Sequence, residues 1–289
     1  MRIGVTVPNV HEMLAEPATI DAVGRMAEEL GYDSIWAGDH ISYRNPILDV
    51  VVALSTFAAV TERITVAAGI VLLPLRHPSV VAKEFASLDY ASGGRTILGV
   101  GVGGESGPDF DAVGVSPRER GARTDDAMRA LRALFANRPA SYEGQFFSFA
   151  GISIEPPPAQ HGGPPLWVGG RSAAAIRRAA TLGDGWIPIW VSADRFAEGL
   201  AQLPEHVTPA VTVPAHVGDP AALHEHLRKR YSGDFSEHAV DRYCVAGTPE
   251  QCVARVREYV DAGARHVVFN ILELQDAERL MEVARAAAG

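Results

Sequence analysis

The sequence predicts an α/β protein built as a single closed (β/α)8 barrel. About eight short apolar runs alternate with longer segments in which apolar residues recur every three or four positions. The short runs are apolar at consecutive positions, as expected for parallel strands buried on both faces. No break in composition divides the 289 residues, which favours one domain over 1–289, with an open doubly wound sheet as the alternative.

The first half of the chain supplies four strands and the helices between them. Gly31 stands where a glycine ends a helix, and Pro78 suits the first turn of the third helix. Helical spacing returns after Ser116. The predicted strands are 3–7, 34–37, 64–72 and 96–100, and the predicted helices are about 20–30, 47–60, 78–91 and 116–134.

An insertion of about 138–160 interrupts the alternation between the fourth and fifth strands. Its alternating polar and aromatic residues predict a hairpin that turns at Glu143 and Gly144. Three consecutive prolines at 156–158 exclude a regular strand directly after it. The insertion is therefore expected to lie outside the barrel wall.

The second half of the chain resumes the strand and helix alternation. Thr248 and Pro249 have the residue types of a helix cap and first turn. An Ala- and Arg-rich helix is predicted to end the chain. The predicted strands are 166–168, 186–189, 210–217 and 266–271, and the predicted helices are 173–182, 193–203, 220–230 and one that starts after Thr248.

Composition excludes several classes of function. The net charge is −9 and no basic run is present, which argues against a nucleic-acid partner. The longest apolar stretch, 64–75, is too short for a membrane span and contains Pro74. The N-terminus lacks the apolar core of a signal peptide. Cys244 and Cys252 have no metal-ligand spacing and form no disulfide framework, so a cytoplasmic location is expected.

Asp39 and His40 directly follow the second predicted strand. The site of such a barrel lies at the carboxyl-terminal ends of its strands. A histidine there can exchange a proton near neutral pH. Side chains alternate faces along a strand, so a regular strand cannot point both residues into the lumen. The alternative is a surface histidine hydrogen-bonded to Asp39.

Glycines follow the third, fourth and fifth strands. Residues 99–104 formally match G-x-G-x-x-G, but no helix opens directly behind them, so a nicotinamide fold is disfavoured. These glycines would instead let a flat ligand approach bare backbone. Residues 169–172 precede a predicted helix, whose N–H groups can bind phosphate. The alternative there is a simple turn with a helix cap.

Other enzyme motifs are missing from the sequence. It contains neither G-x-S-x-G nor a phosphate-binding Walker loop. His224 and His226 lie two residues apart, so on a helix they point to different sides. No metal site is predicted.

The strand-end segments, in this order, resemble the luciferase-like monooxygenase superfamily and specifically its deazaflavin (coenzyme F420)-dependent oxidoreductases. The likeness spans about 1–272. The matching segments are LGYDSIW at 30–36 with Asp39 and His40, LPLRHP at 73–78, SGGR at 92–95, LGVG at 98–101, GV at 114–115, RERGAR at 118–123, PPLWVGG at 164–170, GDGW at 183–186 and GTPE at 247–250.

The resemblance implies one luciferase-like TIM-barrel domain, usually dimeric, that transfers hydride to or from C5 of the deazaflavin. It places His40 beside the cofactor ring and the substrate, and it implies a cis peptide bond between Gly69 and Ile70. A glutamate after the fourth strand donates a proton in some members; Gly104 stands at the best match here, which leaves Glu105 as the candidate. The residues expected to contact the cofactor are Asp39, Gly69, Ile70, Gly101, Val102, Gly103, Gly104, Gly169, Gly170, Arg171 and Ser172.

Three functions follow as hypotheses. The first is an F420-dependent oxidoreductase that acts on a small, largely apolar organic molecule, with His40 orienting or protonating it. The second is an FMN-dependent monooxygenase that uses a partner reductase and O2. The third is a flavin- or deazaflavin-binding protein without catalysis. The loops 43–45 and 106–114 are expected to shape the substrate pocket, and the resemblance implies a homodimer.

Overall fold

Eight parallel strands close into a barrel surrounded by helices. The computed structural model describes residues 1–7, 18–43, 46–104, 107–230 and 237–289. The barrel order is β1-β2-β3-β4-β7-β8-β9-β11, and the pairing of β11 with β1 closes it. The strands are β1 (Arg2–Thr6), β2 (Ser34–Ala37), β3 (Thr65–Leu72), β4 (Thr96–Gly101), β5 (Ala140–Glu143), β6 (Ser148–Ile152), β7 (Leu166–Gly169), β8 (Gly185–Ile187), β9 (Thr208–Val217), β10 (Val245–Gly247) and β11 (His266–Ile271). The predicted closed barrel is confirmed, and the open-sheet alternative is wrong.

The helices cover the outside of the barrel and the segments between its strands. They are α1 (Ala18–Leu30), α2 (Val50–Val60), α3 (Pro78–Ser92), α4 (Gly107–Val113), α5 (Arg120–Ala136), α6 (Ala173–Leu182), α7 (Ala193–Leu200), α8 (Pro220–Arg230), α9 (Glu237–Tyr243), α10 (Pro249–Asp261) and α11 (Asp276–Ala288). A 3-10 turn, Leu73–Leu75, follows β3. Within the described ranges, no helix is long and apolar enough to cross a membrane.

Most element boundaries agree with the sequence patterns, and the exceptions have local causes. The second helix begins at Val50 and not at 47, because the carboxylate of Asp49 caps it by accepting the N–H groups of Val51 and Val52. The sequence patterns did not predict α4, α9 and β10, each of which has seven residues or fewer. Such short elements carry too few residues for a periodic pattern.

The barrel lumen is packed with side chains. Trp36 and Trp167 lie with ring centroids 5.5 Å apart. The indole N–H of Trp36 donates to the hydroxyl of Ser34, which also bonds to His266 over 2.8 Å. Ser34 and His266 begin their strands, so this cluster closes the amino-terminal half of the barrel. Any ligand must therefore enter at the carboxyl-terminal end.

The insertion is an antiparallel hairpin of β5 and β6, as predicted. Asp126 on α5 holds it in place: its carboxylate accepts the hydroxyl proton of Tyr142 over 2.6 Å and the N–H groups of Phe146 and Phe147. Burial alone would raise the pKa of Asp126, but these hydrogen bonds outweigh it and lower the pKa. Asp126 is therefore a structural residue.

Candidate active site

His40 lies just beyond β2, at the carboxyl-terminal end of the barrel, and is held by Asp109 from α4. Its Nδ1 is 2.8 Å from Oδ2 of Asp109. The other carboxylate oxygen of Asp109 accepts the N–H groups of Ile41 and Ser42 over 2.8 and 2.7 Å. Asp109 is 1% exposed, so the loop that carries His40 is bonded to a buried carboxylate.

The contact with Asp109 determines which nitrogen of His40 is available. A carboxylate beside Nδ1 favours a proton on that nitrogen and orients the ring. Among the described residues, none hydrogen-bonds to Nε2. The ring of Tyr43 stacks on that of His40 with centroids 4.2 Å apart and planes 20° apart. The histidine is thus held at one edge and on one face, and its side chain remains 16% exposed.

Asp39 has a different set of partners. Its carboxylate accepts the N–H of Leu72 over 3.0 Å and the guanidinium of Arg76 over 2.7 Å, so it ties the end of β2 to the end of β3. The alternative in which His40 is a surface residue bonded to Asp39 is wrong, because the barrel brings Asp109 to His40 instead. The expected contact between Asp39 and a cofactor stays a prediction.

The Asp39 carboxylate lies in a buried charge network. Burial works against the charge of Arg76, but its bonds to Asp39 and to Asp49 outweigh burial and raise its pKa. Glu84 is close to this network, and its Oε2 is a buried atom without a hydrogen-bond partner. Burial raises the pKa of Glu84. The network braces the strand ends beneath the His40 loop.

The third strand contains the cis peptide bond that the resemblance implied. The peptide bond between Gly69 and Ile70 is cis, and the β3–β4 register shifts between Ala68 and Val71. The side chain of Ile70 fills the space beside Gly101 and Gly169, where any Cβ would collide with it. The open backbone at these two glycines therefore faces Ile70, which sequence reasoning did not foresee.

The glycines after β4 have backbone conformations that favour glycine, and side chains stand close to both. Gly103 and Gly104 have φ angles of +66° and +124°, a region that L side chains rarely adopt. The guanidinium of Arg120 stands next to Gly104, 3.1 Å from the position a Cβ would take there. Val102 is half-buried. Glu105, the candidate proton donor, lies outside the described residues.

The loop after β7 leads directly into α6. Ser172 caps that ten-residue helix, with its hydroxyl accepting the N–H of Ala175 over 3.2 Å. Gly170 has a φ of +104° and its carbonyl accepts the indole N–H of Trp186. Arg171 is exposed and donates to the carbonyl of Trp190 over 2.5 Å. The cap is confirmed, and phosphate binding by this loop stays a prediction.

The structure brings together residues that the sequence alone did not connect. Asp109 was not predicted, although Asp109 follows Gly107 and Pro108, which is a turn-like start for a helix. Its partner His40 is 69 positions away. Within the described part of the chain, no group of three or more histidine, cysteine or acidic residues is arranged to hold a metal ion.

A family model described as luciferase-like monooxygenase matches residues 1–237. The chain belongs to the luciferase-like monooxygenase family. The resemblance of the strand-end segments is thereby confirmed. The 5,10-methylenetetrahydromethanopterin reductase of Methanolobus tindarius is 24% identical over 84% of this chain and 87% of its own length. The F420-dependent glucose-6-phosphate dehydrogenase of Rhodococcus hoagii is 25% identical over 88% of both chains.

Two solved structures of other proteins share the fold. An F420-dependent secondary alcohol dehydrogenase in complex with an F420-acetone adduct has a TM-score of 0.85 at 19% identity, over 99% of this chain and 98% of its own. The oxygenating constituent of 3,6-diketocamphane monooxygenase from Pseudomonas putida, in complex with FMN, has a TM-score of 0.75 at 16% identity, over 99% and 96%. These likenesses show a common barrel fold.

Proposed function

We propose that this luciferase-like protein is a coenzyme F420-dependent oxidoreductase that acts on a small, largely apolar organic molecule. The observation that carries the proposal is His40, held at Nδ1 by the buried Asp109 at the carboxyl-terminal end of the barrel. Relatives that match most of the chain include a methanopterin reductase and an F420-dependent dehydrogenase. Residues 1–289 would form one domain.

The residues at this end of the barrel fit a flat ring with an anionic tail. Ile70 offers an apolar surface, and the positive φ angles of Gly103 and Gly104 require residues without a Cβ. The N-terminus of α6 and the adjacent Arg171 offer N–H groups and positive charge to a phosphate. When bound, the deazaflavin would supply the hydride acceptor or donor at C5.

A side chain of the protein would donate or accept the proton. His40 Nε2 would donate a proton to the substrate oxygen or accept one from it, and Asp109 would stabilise the imidazolium at Nδ1. Tyr43 would keep the ring from rotating. Asp39 would act through structure, by holding the strand ends that carry His40. Glu105 stays a candidate for a second proton donor.

The competing cofactor is FMN, because the oxygenating constituent of 3,6-diketocamphane monooxygenase, which shares the fold with a TM-score of 0.75, is in complex with FMN. Fluorescence quenching with each purified cofactor measures whether the protein prefers F420 or FMN. Identifying the cofactor that copurifies from a host that makes both gives an independent answer. We expect F420 to bind at least tenfold more tightly than FMN. Preferential binding of FMN would overturn the proposal in favour of a monooxygenase. Tight F420 binding without turnover across alcohols, ketones and glucose 6-phosphate would favour a non-catalytic carrier.

We also propose that the protein is a homodimer, as the family resemblance implied. The adjacent helices α2 and α3 expose Val52, Val80 and Tyr90 at 57%, 53% and 61%, and exposed apolar side chains can contribute to a protein–protein interface. A second copy of the same face would cover them around a two-fold axis. Val52→Asp should then give a monomer in sedimentation velocity. Both cysteines are buried and free, which fits the proposed cytoplasmic location.

A further inference from the structure

A cavity of about 460 Å³ lies against the outside of the barrel, beside the loop proposed to hold the phosphate. Its walls come from that loop, from the end of β8 and from α7 and α9. Its lining includes Arg171, Ser172, Trp186, Arg195, Glu198 and Arg242. The cavity therefore begins where a phosphate on α6 would end.

The cavity carries more positive than negative charge. Its one carboxylate, Glu198, is 3.4 Å from Arg195, and both side chains are about two-thirds exposed, so the pair is weak. Arg242 lies over the ring of Tyr243, and Arg171 bonds to a backbone carbonyl. In the described part of the chain, no carboxylate forms an ion pair with Arg171 or Arg242. Three arginines thus line one cavity in a protein whose net charge is −9.

The position of the cavity excludes the reacting end of a ligand. Trp186 forms part of its wall and stacks on Phe196 of α7, with centroids 5.3 Å apart and planes 6° apart. That side of β8 faces the helices, whereas Ile187 faces the lumen with Trp36 and Trp167. The group that enters the cavity must therefore be attached beyond the phosphate.

We propose that this arginine-lined cavity binds the carboxylate tail of the deazaflavin, an inference that rests on the proposed function. Coenzyme F420 continues past its phosphate into a lactyl group and γ-linked glutamates, whereas FMN ends at the phosphate. Guanidinium groups pair with carboxylates through charge-assisted hydrogen bonds. The cavity would thus distinguish the two cofactors by a part of the molecule remote from the ring.

The test compares cofactor forms on one pair of variants. The double variant Arg195→Gln/Arg242→Gln leaves Arg171 and the phosphate loop intact. Kd is measured by fluorescence quenching for F420 with several glutamates, for the form that ends at the lactyl group, and for FMN. The matched control is Arg177→Gln, which removes an exposed arginine from α6 that does not line the cavity. Circular dichroism checks that each variant is folded.

We expect the double variant to raise the Kd of the glutamylated cofactor about tenfold. The Kd of the lactyl form and that of FMN should stay within about twofold of the wild-type values. The control should bind all three as the wild type does. Equal loss for the glutamylated and lactyl forms, or no loss for either, overturns the tail site while the proposed function stands. A wild-type protein that binds F420 in neither form overturns both. A higher salt concentration should weaken the binding of the glutamylated form most.

Discussion

Two histidine–aspartate pairs of nearly the same geometry occur among the residues that the structure describes. His40 Nδ1 is 2.8 Å from Asp109, and His216 Nδ1 is 2.9 Å from Asp276. Both carboxylates are buried, at 1% and 0% exposure. Each carboxylate also accepts hydrogen bonds from two backbone N–H groups: those of Ile41 and Ser42 for Asp109, and those of Val217 and Glu273 for Asp276. Pair chemistry alone therefore does not distinguish a catalytic histidine from a structural one.

The surroundings of the two pairs differ. His216 is the second-last residue of β9 and pairs with Ala246 of β10, and its Nε2 packs so closely against Gly218 that a Cβ there would lie 2.5 Å away. Asp276 begins α11 and joins that helix to β9. His40 instead lies in a loop beyond a strand end, with a neighbouring ring on one face. Both histidines lie near the carboxyl-terminal end of a strand, so the packing around Nε2, and not the carboxylate, distinguishes the histidine that is available for proton transfer.

The largest expected effect separates the two histidines. His40→Ala should reduce turnover at saturating F420 roughly 10²–10⁴-fold, the usual contribution of a general acid or base, and change the Kd of the cofactor much less. His216→Ala should keep turnover within about threefold and lower the free energy of unfolding by about 1–3 kcal/mol, because it leaves a buried carboxylate short of a partner. Steady-state kinetics and urea unfolding measure both. Unchanged turnover in His40→Ala would remove its catalytic role.

Substitution of Asp109 should affect turnover, whereas substitution of Asp276 should affect stability. Asp109→Asn places an amide opposite Nδ1 of His40, which favours the other tautomer, so turnover should fall roughly 10–100-fold. The pH profile of kcat should change with it. Asp276→Asn should leave that profile unchanged and reduce stability. If both variants left the kcat profile as in the wild type, Asp109 would be a structural residue like its counterpart.

A third histidine has no carboxylate partner and sharpens the contrast. Burial lowers the pKa of His266 from 6.5 to about 3, so the folded protein keeps it neutral. Between these two values the unfolded chain binds a proton that the folded chain refuses. Stability should therefore fall as pH drops from 6.5 towards 3, by up to about 1.4 kcal/mol per pH unit.

This dependence can be tested by urea unfolding at pH 7 and pH 4.5. His266→Gln should reduce the difference between the two free energies of unfolding, although the variant itself is less stable because Ser34 loses its bond to His266. His206→Gln, an exposed histidine in the loop before β9, is the control and should keep the wild-type difference. An equal flattening in both variants would show that the pH dependence comes from elsewhere.

The smallest expected effect concerns the ring that stacks on His40. Tyr43→Ala removes the contact at 4.2 Å, and aromatic stacking of this kind contributes about 0.5–1.5 kcal/mol. Turnover should fall about 2–10-fold, and Tyr43→Phe should restore most of it. Kinetics of the two variants at saturating cofactor measure this. Failure of the phenylalanine to restore turnover would indicate a role for the phenol hydroxyl instead.

Local patterns were sufficient to predict the barrel and its inserted hairpin. Consecutive apolar runs identify buried parallel strands, and caps such as Thr248 and Ser172 mark the starts of helices. The resemblance of the strand ends added the family and the cis bond at Gly69, both of which are confirmed. These features depend on residues that are near one another in the chain, so a single sequence contains them.

The sequence by itself determined which segments become strands, where they end and that His40 follows one of them. The tertiary structure alone decided what each of those residues touches. Asp109 reaches His40 across 69 positions, and Ile70 fills the space beside Gly101 and Gly169, because closing the barrel brings distant strand ends to one rim. Hydropathy periods describe the faces of single elements and contain no information about such neighbours.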